Sequence, residues 1–350
     1  MGRVSGGGNL GRKKDVKLGD IAEKLGVSVV TVSNALKGKK GVSGELRAQV
    51  LEIAKTMGYQ IRQEEEKREV SVYRIGVVIA ERYVKEFPSF YMDVYKYTAQ
   101  ETTRRGSLTL LDIVDEKRER ECRDTEVFFD MDVSGVVVIG QLKKEFLAEM
   151  KEKLSVPLVC VDYYDVDEDM DYIVTDGYGG MERVVRMLTD RGYRSFCFVG
   201  TPQATRNIMD RYMGYCKGLE IGGLQDQQQN LLYDRSCKGY DYHLNVEVPE
   251  KLPEVFVCNC DKIAKILVEK LMQRGIRVPE DVGVTGFDNF YARINDSLSL
   301  TTYENDGKAI AQISVNTLFR RISGKSPSGI RLVEGRLVEG NTIREKIGEA

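Results

Sequence analysis

Between residues 74 and 287, short apolar runs alternate with stretches of helical periodicity, and this alternation restricts the fold more than any other feature. The apolar runs fall at residues 74–80, 107–113, 135–139, 157–161, 195–199, 254–258 and 282–287. Helical stretches lie between them, near residues 91–105, 143–153, 177–191, 210–219 and 261–274. A strand that is apolar at successive positions has both faces buried, and parallel neighbours need a crossover helix. The pattern therefore predicts an α/β body of doubly wound parallel sheets. With about ten strands expected, two lobes are favoured over one sheet. Right-handed crossovers would then gather the strand C-terminal ends along the cleft between the lobes.

Ahead of this body, residues 17–59 read as an all-α headpiece of three short helices. Ile21, Ala22 and Leu25 make one apolar stripe, and Gly26 ends that helix because it tolerates positive φ. Ser28 follows as an N-cap for a second helix running from 29 to about 37. A third helix, 43–56, turns Leu46, Val50, Ile53, Ala54 and Met57 toward the same small core. Two helices joined by a tight Gly-containing turn form a helix-turn-helix, whose second helix can enter the DNA major groove. Charge agrees: residues 1–62 hold 12 Lys and Arg against 5 Asp and Glu, a net +7, leaving −9 elsewhere in a chain of net −2. A basic tip on an acidic body localises polyanion contact to one end.

The motif at this tip is specific. Gly26-Val27-Ser28-Val29-Val30-Thr31-Val32-Ser33-Asn34 resembles the G-V-S-x-x-T-V-S-N signature of the LacI/galactose-repressor family. Val42-Ser43 and Met57-Gly58-Tyr59 stand where that family has V-S and a closing G-Y. Family patterns continue at residues 188–200, at Arg211-Tyr212-Met213-Gly214-Tyr215, at residues 278–289, at 300–302 and at 338–344. The resemblance implies a periplasmic-binding-protein-like body behind a DNA-binding headpiece, with chain crossovers near residues 174, 303 and 334. The implied domains are a headpiece at 15–60, a linker at 61–72 and an effector-binding body at 73–350. Within the body, the N-lobe takes residues 73–174 and 304–334, and the C-lobe takes 175–303 and 335–350.

It also implies a dimeric, cytoplasmic, nucleoid-associated repressor whose affinity for a near-palindromic double-stranded operator answers to a small molecule, a sugar or sugar derivative. On the DNA side, the second helix would present Val29, Val30, Thr31, Ser33 and Asn34. Asn can bond adenine N6 and N7 together, and Val or the Thr methyl can meet a thymine methyl. Ser28, Thr31 and Ser33, with Lys17 or Lys37, suit phosphate contacts that fix register. On the effector side, Arg211 and Asp261 match family positions that meet in the cleft. Phe90 and Tyr91 align with a pocket-lining aromatic pair, and Asn305 with a polar pocket position. Asp288 is expected to be structural, holding the loop after its strand. Alternatives stay open: Arg211 in a surface ion pair, Asp261 as a helix N-cap, Tyr91 as core.

The chain departs from the family at residues 61–70, where a charge run replaces the leucine that wedges into the minor groove. Glu64, Glu65 and Glu66 would face phosphate repulsion, so a leucine-type kink is not expected and coupling would run through dimer geometry. No heptad tail follows, so a tetramer is not expected. No cofactor or metal is implied: Cys258-Asn259-Cys260 is too closely spaced for a zinc half-site, and no second pair accompanies it. No apolar run reaches the ~20 residues of a membrane span, and residues 1–14 form a Gly-rich basic arm rather than a secretory signal. Seven Cys without an export signal read as reduced thiols. Enzyme readings lack support, since His243 is the sole histidine and no phosphate-binding loop is present. The competing reading is a small-molecule binding protein of the same fold whose headpiece does not read DNA specifically. With no Trp in the chain, Tyr or Phe would have to stack on a sugar.

Overall fold

The structure is a computed structural model that describes residues 16–36, 42–57, 59, 72–85, 89–123, 128–165, 170–236, 244–291, 293–325 and 329–346. Lys37, Gly58, His243, the basic arm and the charged run at 61–70 lie outside the described residues. The chain divides into two compact units, residues 1–70 and 71–350.

The first unit holds α1 (Leu18–Leu25), α2 (Val29–Leu36) and α3 (Gly44–Thr56). Gly26 ends α1 at φ 65°, a left-handed conformation that a β-carbon would strain, and the turn is closed by Val27 N donating to Ala22 O at 3.1 Å. Ser28 caps α2 by accepting from Thr31 N at 3.1 Å, and Ser43 caps α3 by accepting from Leu46 N at 3.3 Å. Ile21, Ala22, Val32, Ala35, Val50 and Ala54 form the buried centre of the unit. So small a core depends on these caps, because few buried side chains offset the entropy of ordering the turns.

The second unit runs β1 (Arg74–Ala80), α4 (Phe90–Arg104), β2 (Leu108–Val114), α5 (Glu116–Glu121), β3 (Gly135–Ile139), α6 (Lys144–Leu154), β4 (Leu158–Val161) and β5 (Asp171–Thr175). It continues with α7 (Gly177–Asp190), β6 (Phe196–Val199), α8 (Arg206–Ile221), β7 (Leu231–Leu232), β8 (Val255–Cys258), α9 (Asp261–Gln273) and β9 (Gly283–Thr285). The last elements are β10 (Thr302–Glu304), α10 (Gly307–Ile322), β11 (Gly329–Val333) and β12 (Arg336–Val338). One lobe is a six-stranded parallel sheet in the order β11-β5-β4-β3-β1-β2. The other is a four-stranded parallel sheet, β7-β6-β8-β9.

Strand composition explains why both sheets are covered on two sides. In the second sheet, Phe196 and Phe198 pack with Met181, Val184 and Tyr215 of α7 and α8, while Cys197 and Val199 pack with Ile263 and Leu267 of α9. Side chains two apart share a face, so a run without polar residues buries both. The α7 and α8 backbones approach closely through glycine: a β-carbon on Gly214 would sit 2.1 Å from Tyr178 O. The chain passes between lobes from β5 to α7, from β10 to α10 and from β11 to β12.

The structure adds elements that the apolar-run reading did not register. β5 opens with Asp171, a fully buried carboxylate held by Arg321 at 3.1 Å and Arg331 at 3.2 Å, so its run looks polar. β11 is half exposed, and α10 carries Asn, Ser, Gln and Arg among its apolar positions. β10 and β12 pair antiparallel, a departure from purely parallel sheets. The helix expected at 210–219 begins earlier, at Arg206, where Thr205 caps it.

Candidate functional site: a DNA-reading helix and a polar cleft

On α2, burial divides the helix cleanly. Val32 and Ala35 are buried, whereas Val29 and Val30 are 48% and 68% exposed. Ser33 and Asn34 lie one turn beyond Val29 and Val30, on the same side, and are half-buried. Exposing two valines at the start of a short helix is unfavourable without a partner surface, and a groove edge with thymine methyls is such a surface. The Thr31 hydroxyl is engaged locally, 2.8 Å from the Ser28 hydroxyl, so both take part in the cap. Lys17 is exposed, and its backbone N–H donates to Asp20 at 2.7 Å at the start of α1.

In the second unit, the strand C-terminal ends of both lobes open onto one cavity of about 820 Å³. That is the expected place for a ligand in open α/β sheets. Phe90, Tyr91, Arg211 and Asp261 all line it; Asn305 does not. Asn305 instead donates Nδ2 to Asp288 Oδ1 at 2.8 Å, and it is Asp288 that lines the cavity. Asn305 thus reaches the cavity only through the carboxylate that it holds.

Arg211 is buried. Its Nη1 donates to Asn259 O at 2.6 Å, its Nη2 to Asp288 Oδ1 at 2.9 Å, and its guanidinium lies 4.2 Å from the Phe287 ring centroid. Its Nε is buried with no hydrogen-bond partner. The ion pair is thus internal, not on the surface. Asp288 adopts φ 105° and Asn289 φ 54°, left-handed conformations held in place by this network. Burial raises the Asp288 carboxyl above its usual range, against the pull of Arg211.

Asp261 is the first residue of α9, with Cys260 as the N-cap, and its carboxylate is already committed. Oδ1 accepts from Thr302 Oγ1 at 2.6 Å, and Oδ2 accepts from Phe290 N at 2.7 Å and Tyr291 N at 3.2 Å. Burial pushes it up to about 7. It ties α9 to the loop carrying Phe290 and Tyr291, leaving little capacity for two sugar hydroxyls.

Two groups went unnoticed in the sequence. Asp162, directly after β4, lines the cavity; it accepts from Tyr91 Oη at 3.0 Å and Thr175 Oγ1 at 3.4 Å. A polar residue closing an apolar strand run was the signal available. The second group is Asp234–Arg235: Arg235 Nη2 donates to Asp234 at 2.7 Å, and Asn259 Nδ2 donates to Asp234 at 2.8 Å. Across the cleft, Asn207 Nδ2 donates to Asp162 O at 2.7 Å and Tyr164 Oη to Asp210 at 3.1 Å, joining the two lobes along one wall. No metal-ligand cluster is found among the described residues, and no helix among them is long and apolar enough to cross a membrane.

A three-helix unit with an exposed reading face, in one chain with a two-lobed body built around a polar cleft, defines a DNA-binding transcription regulator with a ligand-receiving domain. Residues 17–61 match the bacterial regulatory proteins of the lacI family, and residues 185–343 match the periplasmic binding protein-like domain. The chain belongs to the LacI family of bacterial regulators. It is 23% identical over 307 residues to the HTH-type transcriptional repressor PurR of Glaesserella parasuis, covering 87% of this chain and 89% of that one. Among solved structures it is similar in fold to a transcriptional regulator CelR–cellobiose complex, with TM-score 0.65, 19% identity and coverage of 93% and 99%. It is also similar to the lac repressor dimer bound to operator and the anti-inducer ONPF, with TM-score 0.64, 19% identity and coverage of 94% and 99%.

Proposed function

We propose that this chain is a cytoplasmic, nucleoid-associated repressor that works as a homodimer. Two headpieces, each spanning residues 15–60, read the halves of a near-palindromic operator. Each is followed by a linker at 61–72 and a body at 73–350, whose lobes comprise 73–174 with 304–334 and 175–303 with 335–350. A small molecule, a carbohydrate or a derivative of one, binds between the lobes and biases two lobe arrangements, and with them the operator affinity. The observation that carries this reading is the division of α2 into a buried Val32/Ala35 side and an exposed Val29/Val30 side, which continues into half-buried Asn34. Val29, Val30, Ser33 and Asn34 read base edges; Ser28, Thr31, Lys17 and Lys37 fix register on phosphates. Phe90, Tyr91 and Arg211 meet the ligand, while Asp261 and Asn305 hold the walls.

The lac repressor dimer bound to operator supports the dimeric arrangement, and the cellobiose complex of CelR supports a sugar in the cleft. The test is selection of a random duplex library on the full-length protein, repeated with Asn34→Ala. Enrichment of an inverted repeat is expected, with specific affinity lower by roughly 1–3 kcal/mol in the variant and nonspecific affinity nearly unchanged. The charged linker residues Glu64, Glu65 and Glu66 favour the second reading, a ligand binder whose headpiece does not read DNA specifically. An equal loss on both kinds of duplex, or no enrichment, would establish it.

A further inference from the structure

Among the described residues, Asp162 is a cleft carboxylate that makes no direct salt bridge. Five cations among the described residues line the cavity: Arg82, Lys85, Arg211, Arg235 and Lys262. Four of them are held by carboxylates: Arg82 by Glu119, Lys85 by Glu81 at 3.0 Å, Arg211 by Asp288 at 2.9 Å and Arg235 by Asp234 at 2.7 Å. The fifth, Lys262, in the first turn of α9, has interactions of its own. Asp162 is only 6% exposed and lines the same cavity, yet no cation among the described residues lies within 4.0 Å of its carboxylate. Its two hydrogen bonds come from neutral hydroxyls, Tyr91 at 3.0 Å and Thr175 at 3.4 Å. A carboxylate has room for about four donors, so capacity remains on Asp162.

Burial is unfavourable for the Asp162 carboxylate, the Arg211 charge offsets only part of that penalty, and an incoming cation in direct contact removes more of it. Burial raises the Asp162 carboxyl to about 6, so it is still ionised at pH 7.5. Nearby, Arg211 Nε is a buried donor lacking an acceptor. The two groups belong to one small space: Asn207, bonded to the Asp162 carbonyl at 2.7 Å, lies one turn of α8 before Arg211.

We propose that the cleft is built for an amino-bearing polyol, such as a hexosamine, with its ammonium on Asp162 and a hydroxyl or ring oxygen accepting from Arg211 Nε. This rests on the reading of the cleft as the effector site. An ammonium neutralises Asp162 and donates a charge-assisted bond, whereas a hydroxyl does only the latter weakly and a phosphate adds a like charge.

The test is isothermal titration of the full-length protein at pH 7.5 with D-glucosamine, D-galactosamine and D-mannosamine. Each is compared with its neutral parent sugar, its N-acetyl form and the 6-phosphate of the parent sugar. At least one free amine is expected to bind at least about tenfold tighter than all its counterparts. Asp162→Asn is expected to bring that ratio to within about threefold. The N-acetyl comparison on the unaltered protein carries the test even if the variant folds poorly. A neutral or phosphorylated sugar binding as tightly as its amine overturns the proposal and leaves the sensor reading standing. Binding by none of the compounds overturns the proposal too, and the sensor reading then stands or falls on its own DNA-binding assay.

Discussion

Replacing Arg211 with Met keeps most of the side-chain volume and removes the charge on which one wall of the cleft rests. Three interactions go with it: the bond to Asn259 O at 2.6 Å, the ion pair to Asp288 at 2.9 Å and the stacking over Phe287 at 4.2 Å. What remains is Asp288, largely buried and hydrogen-bonded by Asn305, in a backbone conformation at φ 105° that the network maintains. Breaking a buried pair from one side costs about 3–5 kcal/mol, because the abandoned charge stays behind. For a domain of this size each kcal/mol moves Tm by about 2–4 °C, so a drop of about 6–20 °C is expected. Thermal unfolding followed by circular dichroism reads it directly. The double variant Arg211→Met/Asp288→Asn should recover at least about 2 kcal/mol, since no charge is then stranded. A single-variant loss below about 1 kcal/mol, with no recovery in the double, would refute the reasoning and make Arg211 a residue that only meets ligand.

Other consequences are as concrete. Asp261, whose carboxyl burial raises to about 7, holds a proton in the folded chain that the unfolded chain releases at about 4. Stability should therefore fall as pH rises between those values and level off above 7, a change on the order of 4 kcal/mol; Asp162, raised to about 6, acts in the same direction. Asp261→Asn, read by urea midpoints from pH 5 to 8, should flatten most of that slope; an unchanged slope would show that Asp261 titrates normally. Gly214→Ala places a methyl 2.1 Å from Tyr178 O, a backbone atom that cannot swing aside, so α7 and α8 must part. A loss of about 1–3 kcal/mol is expected in the same unfolding assay, and a neutral result would contradict the close approach.

How legible these features were depended on whether local chemistry or tertiary partnership decides them. β1, β3 and β8 showed as unbroken apolar runs because both their faces are covered. β5 did not, since Asp171 looks like a turn residue until Arg321 and Arg331 arrive from α10 and β11. The α2 tip was plain because Gly26, Ser28 and the Val32/Ala35 spacing act within a dozen residues. In the cleft, Arg211 and Tyr91 were found by position, yet position could not tell a side chain facing ligand from one facing its neighbour. Asn305 bonds Asp288 and does not line the cavity, whereas Asp261 lines it while accepting from the Phe290–Tyr291 backbone. Asp162 follows β4 directly, and its place beside Tyr91 and Thr175 without a salt bridge among the described residues emerges only from the tertiary structure.

The central claim is that occupancy of the cleft sets the grip of the headpiece on DNA. It is tested by fluorescence-anisotropy titration of the library-enriched duplex, at fixed salt, with and without a compound that raises the Tm of the protein. Operator affinity should change by about 5–150-fold at saturating compound, with affinity for a scrambled duplex unaffected. An operator affinity that stays the same with the cleft filled would contradict the account.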